Sequence, residues 1–314
     1  MFLGSTMSLG ARVFLLLVPL VSALDPSAAH AAVSGDFAGL VDIGGGRKMY
    51  LGCKGTGSPV VILEAGLRNR ADIWSVKPET GEAVFPAVAA FTKVCAYDRP
   101  GTTLGTDQLS RSDPVPMPRT AEDAVADLHA LLQAAAIPTP YVLVGHSTGG
   151  LIIRLYASTY PKEVAGLVLM DAISEGLQTA MTPEHWAAYD RLLLVDPPKE
   201  LAHYKDLETI NFDASFDQMR RAAKRTPLAS IPLIVISKSR PFELPPDLPA
   251  WLPATLERAW TAGQQQLAQL FPNTPHLIAT NSSHYVQIEQ PQLVIDSIRE
   301  VVDAVRGGSW QLAR

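Results

Sequence analysis

The sequence predicts an α/β fold, a mostly parallel sheet with helices on both faces. Short apolar runs at 60–64, 93–97, 141–144, 164–170 and 232–236 have the length and β-branched content of strands buried on both faces. Helical patterns lie between them, the alternation that builds strand–helix–strand units. One strand-to-helix junction reads Gly145-His146-Ser147-Thr148-Gly149, a G-x-S-x-G turn with a specific mechanical meaning.

Composition bounds the rest. The 314 residues are 47% hydrophobic and 18% charged, which suits a well-buried globular chain of one core plus an insertion. A net charge of −5 leaves no footprint for nucleic acid or for an anionic membrane. At the amino terminus Arg12 precedes an apolar run at 13–21, and small residues follow up to Ala29-His30-Ala31. That is the pattern of a secretory signal over 1–31, removed before about Ala32. The run is too short to span a bilayer, and Pro19 interrupts it. The mature chain is therefore expected to be secreted or periplasmic, with no membrane or nucleic-acid partner and a small-molecule substrate. No Cys/His spacing suggests zinc. The Gly55/Gly57 pair lacks the third glycine and the following helix of a dinucleotide loop, so no cofactor is expected.

The elements follow in order. Runs at 40–43 and 48–51 flank Gly44-Gly45-Gly46 as a hairpin, and a turn at 55–59 leads to the 60–64 strand. A helical stretch is read over 74–91, then the 93–97 strand and a polar, Pro- and Gly-rich loop to Pro118. Thr120 with Asp123 forms a capping pair, and Val125, Leu128, Leu131 and Leu132 mark the buried face of the helix it opens. The 141–144 strand feeds Ser147, and the helix after it must stop before Pro161. The 164–170 strand ends at Asp171. Over 173–230 strand runs vanish and helix formers dominate, around 184–194 and 216–224, which reads as an inserted helical cap. The sheet resumes at 232–236, followed by a Pro-rich loop, a helix over 260–270, a strand over 276–279 and a helix over 293–305. The chain thus divides into a signal (1–31), a core (32–172 and 231–314) and a cap (173–230).

The chemistry starts at Ser147. In a G-x-S-x-G turn, Gly145 and Gly149 are required because a Cβ there would collide with the crossing strand and helix. A serine hydroxyl is a poor nucleophile at neutral pH and needs an oriented imidazole. Of seven histidines, His284 in Ser282-Ser283-His284-Tyr285 follows the last strand, on a loop at the same sheet edge as Ser147. His146 leaves the turn in another direction, and His276 opens a strand on the wrong side. An oxyanion needs two aimed donors. These are expected to be the backbone N–H groups of Thr148 and Leu67, with Gly66 allowing close approach. Arg68 and Arg70 read as solvated surface cations, the alternative being a binding site for a carboxylate-bearing substrate near the oxyanion loop.

Leu63-Glu64-Ala65-Gly66-Leu67, Tyr97-Asp98-Arg99-Pro100-Gly101, Gly145–Gly150 and Ser283-His284-Tyr285 resemble, in content and order, the motifs of the α/β-hydrolase superfamily, in its capped, esterase-like branch. The resemblance covers about residues 38–306 and implies an eight-stranded-type sheet with an inserted cap. Together with the amino-terminal signal, it implies an exported serine hydrolase that cleaves carboxylic esters through an acyl-enzyme. Amide or peptide hydrolysis, C–C hydrolysis and cofactor-free perhydrolysis run on the same residues, and a non-catalytic binding protein on this scaffold is the remaining alternative. Two positions depart from the pattern. Ala65 replaces a histidine that many members carry. The usual place for the catalytic acid, after the strand following the cap, holds only Ser237, Lys238 and Ser239. Asp171 is the expected acid, with Glu243 and Asp247 of the later loop as alternatives. The related fold also sets the 48–53 and 93–97 strands side by side, which implies a Cys53–Cys95 disulfide.

Overall fold

In the computed structural model, residues 35–309 apart from Ala229 are described, together with Met1 and Leu312. The signal expected over 1–31 lies outside the described residues except for Met1.

The strands are β1 (Phe37–Gly44), β2 (Arg47–Lys54), β3 (Val60–Glu64), β4 (Val94–Tyr97), β5 (Thr103–Leu104), β6 (Gln108–Leu109), β7 (Tyr141–His146), β8 (Val164–Met170), β9 (Leu233–Lys238) and β10 (His276–Ala279). Eight of them form one sheet in the order β1-β2-β4-β3-β7-β8-β9-β10, and β5 and β6 form a separate two-stranded sheet. The β1–β2 and β2–β4 pairings are antiparallel, and every pairing from β4 through β3 to β10 is parallel. This is the mostly parallel, eight-stranded sheet that the sequence predicts. β5 and β6 are a small addition inside the loop read as irregular.

The continuous apolar strand runs follow from burial on both sides. Along β7, Tyr141 and Leu143 join one core while Val142 and Val144 join the other. Along β8, Leu167 and Leu169 alternate in the same way with Val168 and Met170. One face is covered by α2 (Ala121–Ala134), α3 (Thr148–Thr159) and α7 (Leu252–Ala268), the other by α1 (Val84–Ala89) and α9 (Pro291–Arg306). Thr120 caps α2 through the full reciprocal arrangement with Asp123.

Cys53 and Cys95 stand opposite each other on β2 and β4 and form a disulfide, 42 residues apart in sequence. The helix read over 74–91 is broken in two: a 3-10 turn at Ala71–Ser75, then α1 only from Val84. Pro78 and Gly81 in the intervening stretch explain the break. At the other extreme, α7 starts eight residues earlier than read. Pro253, taken as loop, sits in its first turn, where the missing N–H costs nothing.

Between β8 and β9 the chain forms α4 (Glu175–Thr179), α5 (Pro183–Tyr189), a π-helical turn at Asp190–Val195, a 3-10 turn at Lys199–Leu201 and α6 (Phe212–Arg225). α8 (Val286–Glu289) follows the last strand. Among the described residues no helix is long and apolar enough to cross a membrane.

Candidate active site

The parallel strands deliver β7 and β8 side by side, so the residues that follow them emerge at one sheet edge. Ser147 sits in the β7–α3 turn at φ 53°, ψ −121°, a region that a non-glycine residue adopts only under constraint. The surrounding structure supplies the constraint. Ser147 N–H donates to Met170 O at 3.1 Å, and its carbonyl accepts from the N–H groups of Gly150 and Ile173, both at 3.0 Å. A Cβ on Gly145 would lie 2.7 Å from Gly149 and Gly150 backbone atoms, and one on Gly149 would lie 2.4 Å from Glu64 O. Both glycines are thus demanded by close backbone approach, as the sequence predicts.

Asp171, at the end of β8, is fully buried, and each of its oxygens has a partner. His284 Nδ1 is 2.6 Å from Oδ2. The Trp260 indole N–H donates to Oδ1 at 2.9 Å, and the Lys238 backbone N–H donates to the same oxygen at 3.2 Å. The structure therefore brings Asp171, not the later loop, to His284; Glu243 and Asp247 are exposed. Phe242 and Trp260 pack against the His284 ring, with centroids 5.1 and 5.3 Å away, and help fix its plane.

Ser147, His284, Leu67 and Thr148 all line one cavity of about 210 Å³. Ile173, Leu194, Leu244, Leu256, Phe242 and Trp260 give it apolar walls, Asn69, His146, Tyr189 and Tyr285 add polar atoms, and among the described residues no Asp, Glu, Lys or Arg side chain lines it. Gly66 closes on the serine: a Cβ placed there would lie 3.1 Å from Ser147 Cβ. Among the described residues neither the Leu67 nor the Thr148 N–H donates to a protein acceptor. Thr148 also opens α3, so its N–H lies at the positive end of a twelve-residue helix.

His146 is buried beside this group. Burial pushes its pKa well below the usual histidine value, and the His284 ring pushes in the same direction. Its Nε2 meets the His284 carbonyl at 2.8 Å, so Nε2 carries the proton and donates. A neutral His146 holds the backbone of His284 rather than exchanging protons with Ser147. His276, on the far strand, contacts Ser237 Oγ at 2.8 Å and takes no part in the cavity. Among the described residues no cluster of His, Cys, Asp and Glu is arranged to hold a metal ion.

A sequence profile of the alpha/beta hydrolase family matches residues 60–297. The chain belongs to the alpha/beta hydrolase family. This alpha/beta hydrolase is 26% identical over 251 residues to the uncharacterized protein YqjL of Bacillus subtilis (strain 168), covering 79% of this chain and 85% of that protein. Est816, described as an N-acyl homoserine lactone degrading enzyme, shares the fold with a TM-score of 0.56 and 18% identity, over 83% of this chain and 99% of that one. A thermophilic esterase from Thermogutta terrifontis does so with a TM-score of 0.52 and 18% identity, over 87% and 99%.

One reading of the sequence needs correction. Arg68 and Arg70 are not solvated: they are 7% and 9% exposed. Arg68 is used up on the carbonyls of Leu194, Val195, Asp196 and Glu208, and Arg70 on Asp72, Gln108 and the Leu109 carbonyl. Neither cation is left for a substrate. The residues that sequence reasoning missed are Trp260, which anchors Asp171, and a buried network of Glu64, Tyr97, Arg99 and Glu208 beneath the Gly66 loop. Arg99 lay inside a quoted motif, which was the available signal. Glu208 and Trp260 carry no local pattern that marks them.

Proposed function

We propose that this alpha/beta hydrolase is an exported serine esterase working through an acyl-enzyme on small, neutral esters. The observation that carries the reading is the 2.6 Å contact between buried Asp171 and His284, on the wall of a cavity shared with the strained Ser147. Ser147 Oγ attacks the ester carbonyl carbon while its proton passes to His284 Nε2. Asp171 holds the Nδ1–H tautomer and offsets the imidazolium charge. The tetrahedral oxyanion is received by the N–H groups of Leu67 and Thr148. Collapse expels the alcohol, which takes the proton from His284. Water then attacks the acyl-serine by the same route in reverse, and the carboxylic acid leaves.

The substrate range follows from the walls. A 150 Å³ apolar cavity is filled by benzene, so about 210 Å³ accommodates roughly eight non-hydrogen atoms. A lining without a carboxylate offers no partner for a substrate ammonium, which disfavours an aminopeptidase. A lining without a cation disfavours an acidic acyl group. The Cys53–Cys95 disulfide supports an oxidising address outside the cytoplasm.

A panel of p-nitrophenyl esters of rising acyl length, run beside amino-acid arylamides, tests this reading. Turnover should be greatest for short acyl chains and fall once the acyl group outgrows the cavity. Arylamide cleavage without ester turnover would overturn it in favour of a peptidase.

A further inference from the structure

The loop that carries Leu67 is held from beneath by a buried cation. Arg99, 4% exposed, donates through Nη1 to the Ala65 carbonyl at 2.9 Å and through Nη2 to the Gly66 carbonyl at 2.7 Å. The second contact matters most. In a planar trans peptide the C=O and the N–H point in opposite directions. Fixing the Gly66 carbonyl on Arg99 therefore fixes the Leu67 N–H on the other side, the side of Ser147 and the cavity. A cation on the carbonyl oxygen also polarises the amide and strengthens its N–H as a donor.

Arg99 is itself immobilised. Its Nη1 meets Glu64, whose other oxygen takes the Tyr97 hydroxyl. Its Nε donates to Glu208 Oε1 at 2.6 Å and its Nη2 to Glu208 Oε2 at 3.0 Å. Glu208 Oε2 also accepts the backbone N–H of Arg68 at 2.6 Å. So the carbonyls of residues 65 and 66 and the N–H of residue 68 are all engaged, the Gly66 carbonyl also by the Asn69 N–H at 3.1 Å, and between them the N–H of Leu67, a residue that lines the cavity, donates to no acceptor among the described residues. Glu208 belongs to the segment between β8 and β9, whose Leu194 walls the same cavity.

We infer that Arg99 and Glu208 are positioning residues for the oxyanion donor: the inserted segment supplies, through Glu208, the anchor that sets the Leu67 N–H. The inference rests on the proposed ester hydrolysis at Ser147. Buried ion networks are poor sources of net stability, whereas a preorganised donor is worth a large factor in rate. Complete loss of one oxyanion donor costs about 10²–10³ in kcat, and a donor displaced but not removed should cost a part of that.

The test uses Glu208→Gln in the full protein, with Arg99→Lys as a second variant that keeps the charge and loses the forked geometry. A fluorophosphonate run to completion counts reactive sites, p-nitrophenyl butyrate gives kcat per reactive site and KM, and butylboronic acid reports affinity for a tetrahedral mimic. The expected result for Glu208→Gln is a fall in kcat per site of about tenfold or more, KM within about twofold, and boronate affinity weakened in step with kcat. Arg99→Lys should move both in the same direction. A merely structural role would lower the count of reactive sites and the Tm. It would leave kcat per site and boronate affinity at parental values, and that result overturns the proposal alone. An unreactive, inactive parent would instead overturn the hydrolase reading itself and this proposal with it.

Discussion

Replacing Asp171 with asparagine keeps the shape of the side chain and removes its charge, and the structure dictates how the amide must sit. Oδ1 of Asp171 faces two donors, the Trp260 indole N–H at 2.9 Å and the Lys238 backbone N–H at 3.2 Å. The amide oxygen has to occupy that position, because an NH2 group there would meet two N–H groups head on. The NH2 is then forced toward His284 Nδ1, 2.6 Å away in the parent. It donates where the carboxylate accepts, so the imidazole proton moves to Nε2, the nitrogen that must take the proton of Ser147. Asp171→Asn should therefore lose about 10⁴ in kcat, some ~5 kcal/mol of transition-state stabilisation, with little change in fold. The assay is turnover of one short p-nitrophenyl ester at one pH, beside Glu243→Gln and Asp247→Asn. Those two side chains are exposed, and their variants should stay within several-fold of the parent. If Asp171→Asn keeps near-parental kcat while either of the others is crippled, the acid belongs to the later loop and the argument fails.

Ser147→Ala and His284→Ala should each abolish most ester turnover, and the double variant should lose little more than either, because the two act as a unit; additive losses would show that they do not work together. Cys53→Ala/Cys95→Ala should lower unfolding free energy by about 4 kcal/mol, from the closure of a loop of 42 residues. Urea unfolding of this variant measures that loss, and thiol titration of the denatured, unreduced parent should find no free thiol. Asp190 has one buried oxygen without a partner, and burial, with the nearby charge of Asp213, pushes its pKa up to about 6. Its charged form is penalised in the folded state: the penalty is complete above about pH 6 and vanishes below the unfolded value of 3.8. Asp190→Asn should thus gain about 1 kcal/mol at pH 7.5, after discounting for solvent contact, and nothing at pH 3.5. Thermal unfolding at the two pH values checks this, and an equal gain at both would point to a cause other than charge.

What was legible in the sequence, and what was not, divides along the range of the interactions. The β7 strand, Ser147 and its flanking glycines are specified within about ten residues, and so is the Thr120–Asp123 cap of α2; a local reading captures each. The strands were legible because burial on both faces makes them continuous apolar runs. Boundaries failed where one residue has two uses. Pro253 reads as a loop breaker and serves as a first-turn helix residue, and the stretch around Pro78 carries helix formers on both sides of a break. Arg68 was misread for a different reason. Its partners lie between 126 and 140 residues away, and nothing next to an arginine announces that the carbonyls of a distant turn will surround it.

The same long-range logic explains how an apparent vacancy after β9 is filled. Where a carboxylate is usual, the chain has Lys238, and a bare ammonium beside His284 would oppose formation of the imidazolium. The side chain is instead turned away. Its Nζ meets Glu257 Oε2 at 2.6 Å and the Arg240 carbonyl at 2.9 Å, and lies 4.2 Å above the Phe242 ring. Phe242 also packs against His284, so the same aromatic ring contacts both the cation and the imidazole. What Lys238 gives the site is its backbone, whose N–H binds Asp171 Oδ1. In the proposed mechanism this position supports an acid on the neighbouring strand instead of supplying one. Backbone donation is indifferent to side-chain identity, so a lysine serves this position as well as another residue would.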